Sequence, residues 1–440
     1  MSEATATKRH KTEVGNYFVS NYPPFSFWSP DRISEATDAL NREPDPDTPL
    51  GLYLHIPFCR KRCHFCYFRV YTGKKSQEIR DYTDRAIEEL TMYSKMPFIG
   101  GRKPKFVYFG GGTPSYLSTD QLRKLTDEMK ALMPWDEAEE VTFECEPGTL
   151  TEKKLRVLGE IGITRLSLGV ENFDPHILEL NGRAHLGKEI DRAYDIAKDV
   201  GFPQINIDLI AGMMDETDDN WTRCIEKAIE MEPDSITIYQ MEIPFNTTIY
   251  QRMRDEGKLT APVADWETKR RWVAEGFEAL EAAGYDVGSA YTAVRSSKKT
   301  KFVYRDELWA GADLIGAGVA SFGHVNGTHF QNEHNIGAYG ERVAKGELPI
   351  YRAFTPSNEE RLIREMVLQL KLGHINIDYF NQKFGVDITE HFSESFQELT
   401  EDGYLSRSNG DLVLSRDGLL SVDSLLHGFF LPEHQNARYA

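Results

Sequence analysis

A chain of 440 residues is long enough for one large domain and a smaller one, and a hydrophobic content of 40% is enough to build their cores. A formal net charge of −18 argues against a nucleic-acid partner, because phosphates would be repelled everywhere except at a local basic patch. No apolar run approaches the roughly 20 residues of a membrane helix, and the opening MSEATATKRHKTE lacks the apolar segment of a secretory signal, so a cytoplasmic protein without a membrane partner is expected.

Residues 1–48 are polar with aromatic interruptions (YFVSNYPPFSFW) and end in PDPDTP; they read as an irregular arm wrapping the main domain, with no helix or strand assigned. From residue 50 a different rhythm begins. β-Branched and aromatic runs at 51–56, 105–110, 140–145, 165–170, 204–210 and 235–240 alternate with stretches whose apolar residues recur at helical spacing. Serial β-α units predict a parallel sheet with helical crossovers, either covered on both faces or curled into a barrel. Ligands of such folds gather in the loops at the carboxyl ends of the strands. Three cysteines follow the first run, a glycine-rich loop follows the second, Glu144 and Glu146 close the third, Glu171 follows the fourth and Asp208 ends the fifth, so all fall on one rim.

Near residue 355 a last unit begins. Ser357 and Glu360 stand in capping-box spacing before an apolar helix, and YLSRSNGDLVLS places alternating residues around Asn-Gly, a hairpin signal. Helices followed by a two-stranded wing predict a winged-helix-like α+β module. Fourteen acidic against seven basic residues in 355–440 oppose DNA binding, so a structural or lid role is expected.

Three of the five cysteines sit within CRKRCHFC at 59–66, spaced C-x3-C-x2-C, while Cys145 and Cys224 stand alone and read as core residues. A zinc site completed by His55 or His64 is one reading, but structural zinc sites pair two knuckles and no second C-x2-C is present. A four-iron cubane fits better, because three thiolates leave one iron open for a chelating ligand.

CRKRCHFC resembles the C-x3-C-x2-C motif of the radical S-adenosylmethionine (SAM) superfamily. More narrowly, YLHIPFC, YFGGGTPSYL, RLSLGV, NGRAH and INIDLIAG are similar to the oxygen-independent coproporphyrinogen III oxidase family and its relatives, the heme chaperones and the class C radical SAM methyltransferases. The likeness runs from about residue 50 to the C-terminus, weaker after 290. It implies an α/β fold with a partial (βα)6 TIM-like barrel at 49–290, a connecting segment at 291–354 and the C-terminal module at 355–440. It also implies a 4Fe-4S cluster on Cys59, Cys63 and Cys66 and one or two molecules of SAM. Tyr53, Phe65, Gly111, Gly112, Thr113, Glu144, Met241 and Phe322 are the implied cofactor contacts, and Glu171, Arg183 and Asp208 match positions that contact a second SAM in the oxidase.

The implied activity is oxidative decarboxylation of tetrapyrrole propionates, with Arg183 and Arg305 as candidate cations for the substrate. An acidic low-potential donor such as flavodoxin or ferredoxin is the implied partner, docking on Arg60, Lys61, Arg62 and Arg69. Three departures stand against a direct transfer of that activity. Phe68 occupies the place of the oxidase's fourth cysteine, GVE replaces the usual GVQ at Glu171, and YRDELW at 304–309 lacks the His-Asn of the chaperones' heme motif. Methyl or methylene transfer with two SAM molecules, as in a methyltransferase or cyclopropanase, and heme carriage are the alternatives.

Overall fold

The computed structural model describes residues 18–185, 187–257, 263–298, 300–408, 410–435 and 437, so the first 17 residues of the expected arm and Asn409 of the Asn-Gly turn lie outside the described residues. All six runs are strands: β1 (Leu50–Ile56), β2 (Phe106–Gly111), β3 (Glu140–Cys145), β4 (Arg165–Glu171), β5 (Gln204–Ala211) and β6 (Ser235–Gln240). They lie side by side in chain order, every pair parallel. The crossovers are the helices Ser76–Tyr93, Thr119–Leu132, Glu152–Glu160, Gly187–Val200 and Asp218–Met231, each over a stretch of helical period. Capping fixes their starts, as where Ser118 Oγ accepts from Gln121 N–H and the Gln121 side chain accepts from Ser118 N–H.

Strand periodicity decides what faces where. Leu52, Leu54, Ile56, Val107, Phe109, Leu166, Leu168 and Val170 are fully buried in the core shared with the helices. Each such burial is worth about 1.5–3 kcal/mol, and that sets the parity of the strands. The alternate residues, Tyr108, Glu144, Ser167, Asp208 and Thr237 among them, line a cavity instead. The fold is thus a partial (βα)6 barrel with an apolar outer and a polar inner face.

The sheet continues past both ends of the six-strand set to twelve strands. Antiparallel β7 (Tyr285–Val287) and β8 (Thr292–Arg295) extend it beyond β6. Parallel β9 (Asp313–Ala317) pairs with β1, followed by antiparallel β10 (Phe322–Val325), β11 (Thr328–Asn332) and β12 (Ile350–Phe354).

The arm is less irregular than expected. It contains the helix Ile33–Leu40, whose Ala36, Ala39 and Leu40 are fully buried and which packs on β11 and β12. Eight residues are too few for a helix to hold by propensity in water, so tertiary burial makes this one. The arm does wrap the molecule: Ser29 bridges to Ala353 on β12, and Val19 N–H donates to Asp423 Oδ1 at 3.0 Å.

Beyond residue 355 the helix Asn358–Leu370 opens with the Ser357–Glu360 capping box. After it come β13 (His374–Asn376), the helices Ile377–Phe384 and Ser393–Glu401, and an antiparallel hairpin of β14 (Leu405–Ser408) and β15 (Asp411–Leu414). β13 adds a third strand on β15, and these elements enclose a hydrophobic core of their own with Val19 and Tyr22 of the arm.

Candidate metal centre

At the carboxyl ends of β1–β6 lies a cavity of about 430 Å³. Cys59, Cys63 and Cys66 all line it, none of them in a disulfide. The loop that carries them is tied down on both sides. Cys59 N–H donates to Tyr71 O at 3.0 Å, Tyr71 N–H to Pro57 O at 2.8 Å, and His64 N–H to Asn181 O at 3.0 Å. Thr113 Oγ1 donates to Cys59 Sγ and Arg183 Nη1 to Cys63 Sγ, both at 3.3 Å. Burial and the neighbouring thiols push Cys59 up to about 12 and Cys66 up to about 11. A strong positive centre such as iron would favour their ionised, ligating form.

Among the described residues no three His, Cys, Asp or Glu side chains converge on a single metal ion. Nor does either histidine of the zinc reading turn toward the thiols: His55 Nδ1 meets Tyr53 Oη at 3.2 Å and His64 Nδ1 meets Leu180 O at 2.9 Å. Three thiols spread around a cavity, two of them held by donors, fit a polynuclear cluster better than a single ion.

The glycine loop after β2 runs across the cavity wall. Gly111 has φ +110, and a Cβ there would lie 2.5 Å from the His55 ring; one at Gly112 would lie 2.8 Å from the Pro57 backbone. Only glycine lets the loop pass so close. Gly111 N–H donates to Glu144 Oε2 at 3.1 Å, and Tyr108 Oη donates to Glu144 Oε1 at 2.8 Å. Burial raises Glu144 to about 7 in spite of these donors.

Glu171 closes β4 at φ +66, where the register with β5 shifts. Burial raises it to about 7 as well, against the pull of Arg183, whose Nη1 stands 3.4 Å from its Oε1. Arg183 Nη2 also donates to Gly169 O. On β5, Asp208 accepts from Ser167 Oγ at 2.8 Å and Asn206 Nδ2 at 2.9 Å, and burial raises its carboxyl. Glu146 is held below the usual carboxylate range: burial works against it, but His185 Nδ1 at 3.0 Å and the Arg60 charge prevail.

The cavity brings together Phe65, Gly111, Gly112, Thr113, Glu144, Glu171, Arg183, Asp208 and Met241 with the three cysteines. It does not include Tyr53 or Phe322. Tyr53 stacks on Tyr108 at 5.9 Å in a side cluster with Phe106 and Tyr304, and Phe322 packs against Phe25 of the arm at 4.7 Å. Arg305 lies off the lining too, its Nη1 on Ser289 Oγ at 3.0 Å. Part of the basic patch is structural: Arg62 donates to Cys66 O at 3.0 Å and Asn246 O at 3.1 Å, and Arg60 to Ala184 O.

Several lining residues escaped the sequence reading. Arg165 and Tyr239 sit at inward positions of β4 and β6, and strict alternation within those runs was the signal for both. Arg165 is 1% exposed, with its guanidinium 4.0 Å over the Phe302 ring and its Nη1 without a hydrogen-bond partner among the described residues. Phe18 of the arm and Leu420, Ser421 and Asp423 of the C-terminal elements also line the cavity, and no local pattern marks them.

The chain matches the family model of the radical SAM superfamily over residues 53–228 and that of the HemN C-terminal domain over residues 357–421. It is 30% identical to the heme chaperone HemW of Escherichia coli strain K12 over 280 residues, covering 63% of this chain and 70% of that protein. It is 27% identical to the oxygen-independent coproporphyrinogen III oxidase of Helicobacter pylori strain J99 over 399 residues, covering 87% of this chain and 86% of that one. Among solved structures, coproporphyrinogen III oxidase (HemN) of E. coli superposes with a TM-score of 0.82 at 22% identity over 98% of each chain, which is a likeness of fold. The chain belongs to the radical SAM superfamily, and its cofactors are a 4Fe-4S cluster and S-adenosylmethionine. Within the superfamily it stands with the HemN-type proteins.

No helix among the described residues is long and apolar enough to cross a membrane.

Proposed function

We propose that the protein is a radical SAM enzyme of the coproporphyrinogen III oxidase type, acting on a carboxylated tetrapyrrole. The observation that carries this reading is a pair of buried arginines at the cluster cavity: Arg165 Nη1 and Arg183 Nε both lack a hydrogen-bond partner among the described residues. A buried guanidinium nitrogen left without a partner is costly, and a substrate carboxylate is a group that would offset it. Tyr67, Phe68 and Tyr239, each more than 40% exposed, offer aromatic surface to a large flat ligand at the same cavity.

Cys59, Cys63 and Cys66 would hold the cluster, with Thr113 and Arg183 as donors to its sulfurs. Gly111, Gly112 and Glu144 would take the polar end of SAM, and Phe65 and Met241 the adenine. When bound, the cluster and SAM supply a 5′-deoxyadenosyl radical that takes a hydrogen atom from a substrate carbon. On a propionate, that abstraction followed by loss of carbon dioxide and of one electron to an acceptor leaves a vinyl group. The chain's own contribution is to orient the propionate through Arg165 and Arg183 and to keep water out through Phe18 and the segment at Leu420–Asp423. An acidic low-potential donor is the partner required, and the exposed Lys61 and Arg69 beside the cysteine loop suit it.

A second reading is methyl or methylene transfer with two SAM molecules. The buried Glu171–Arg183 pair favours it, because a carboxylate and a guanidinium together match the ammonium and carboxylate of a second SAM. One anaerobic assay tests both. The reconstituted, reduced protein is given SAM with and without coproporphyrinogen III, and 5′-deoxyadenosine, carbon dioxide and S-adenosylhomocysteine are measured. Deoxyadenosine with matching carbon dioxide supports decarboxylation, and S-adenosylhomocysteine with a methylated product supports transfer. A Soret shift on heme addition without either product supports a heme-carrier role like that named for HemW.

A further inference from the structure

A second cavity, of about 240 Å³, lies at the opposite end of the sheet from the cysteines. Its walls are the segment that leads into β1, the start of β9 at Asp313, and the helix Asn358–Leu370, so arm, barrel and C-terminal elements all contribute. The two inner carboxylates are already engaged. Asp313 pairs with Arg102 at 3.1 Å and accepts from Asn326 N–H at 3.0 Å, while Glu365 pairs with Lys383 at 2.9 Å.

The arginines are not balanced in this way. Arg361 and Arg364 stand three positions apart on one helix, so their side chains share a face. Arg364 is 6% exposed, and its guanidinium makes one hydrogen bond among the described residues, Nε to Asn21 Oδ1 at 2.8 Å, with no carboxylate within ion-pair distance. Arg361 and Arg42 have no ion pair among the described residues either. The remaining ring at the cavity, His324, is a neutral neighbour, kept uncharged by burial and by Arg364. A buried guanidinium facing a polar cavity beside a second one, with Glu365 acting on it only from beyond ion-pair distance, is a costly arrangement in an empty site and a favourable one around an anion.

We propose that this cavity is an anion site for a compact oxyanion of two or more negative charges, a phosphate or phosphoryl group, held by Arg361 and Arg364 with Arg42 at its mouth. Planar guanidinium forks match the oxygens of such a group. Glu43 and Asp45 at the exposed rim make the entrance unfavourable to long polyanions, so nucleic acid is excluded and a small ligand selected. Because the lining comes from three parts of the chain, an occupant fastens the C-terminal elements and the arm to the barrel, remote from the cluster cavity.

The test uses the full-length holoprotein in phosphate-free buffer at constant ionic strength. Thermal unfolding and calorimetric titration are run with sodium phosphate, with sodium pyrophosphate, and with sodium chloride as the ionic-strength control. The expected result is a melting temperature that rises with phosphate or pyrophosphate and not with chloride. Arg361→Gln should weaken the binding by about tenfold or more, with Arg361→Lys intermediate because it keeps the charge and loses the fork. The partly exposed Arg361 is chosen because Arg364→Gln removes a buried contact to the arm and can unfold the chain. SAM cleavage by Arg361→Gln should match the wild type. An unfolding temperature no higher in phosphate and pyrophosphate than in chloride, or equal affinity in wild type and Arg361→Gln, overturns the proposal.

Discussion

Arg183 and Cys63, 120 positions apart, meet through a hydrogen bond of 3.3 Å from the guanidinium Nη1 to the thiol sulfur. A donor to a cluster sulfur stabilises the reduced, more negative state and so raises the potential. Arg183→Gln is expected to move the cluster midpoint to more negative values, on the order of tens of millivolts, while iron content stays near that of the wild type. A redox titration followed by electron paramagnetic resonance measures this, and an unchanged midpoint would show that the contact does not reach the cluster.

The glycine loop gives a sharper test, because two glycines with positive φ differ in their surroundings. Gly111 has φ +110 with the His55 ring 2.5 Å from where a Cβ would stand, whereas Gly101 has φ +82 and open space. Gly101→Ala carries backbone strain alone and should cost about 1 kcal/mol. Gly111→Ala adds a clash and displaces the N–H that holds Glu144, so it should cost about 2–4 kcal/mol and weaken SAM binding by about tenfold or more. Denaturant unfolding and equilibrium binding compare the two, and equal costs would refute the close approach.

Lys371 is fully buried, with Asp423 Oδ1 2.7 Å from its Nζ; the same carboxylate accepts from Val19 N–H and the Tyr291 hydroxyl. Asp423→Ala strands the ammonium and should cost about 3–5 kcal/mol. Lys371→Met combined with Asp423→Ala should recover a large part of that loss, because no unpaired charge remains. The double-mutant cycle, read by urea unfolding, fails the expectation if the two losses simply add.

Glu89 is fully buried beneath Asn332, Tyr339 and the Gly318 N–H, and burial raises its carboxyl to about 7. A carboxyl raised in the folded state favours folding fully below its ordinary value near 4.5, and that contribution is lost as pH rises through about 7. The stability of the wild type relative to Glu89→Gln should therefore fall by on the order of 2–3 kcal/mol between pH 5 and pH 8. Unfolding free energies of both proteins at the two pH values measure it, and a constant difference would place the Glu89 proton elsewhere.

Much of the architecture is legible in the chain itself. The six runs and five helical stretches depend on side-chain spacing within one element, so each matched a strand or helix to within a few residues. The helix Ile33–Leu40 was not legible, because its stability comes from β11 and β12, some 300 positions away. Asp208 and Glu171 were read from the rim rule, whereas Arg165 stands in alternation with Ser167 at the start of its run and far from the rim that drew attention, and Phe322, expected as a cofactor contact, packs on Phe25 away from the cavity lining.

The sequence by itself determined the cysteine spacing, the order of the β-α units and the glycines that let a backbone pass close to another. Those are properties of a few neighbouring residues, set by sterics and by the periods of helix and strand. The tertiary structure alone decided that Arg183 reaches Cys63, that Arg165 faces the cavity with a free Nη1, and that Arg361 and Arg364 share a cavity with Arg42. Contacts across more than a hundred positions follow from strand register and from which face each element buries. Register and burial are settled by the whole core at once, and no short stretch of the chain encodes them.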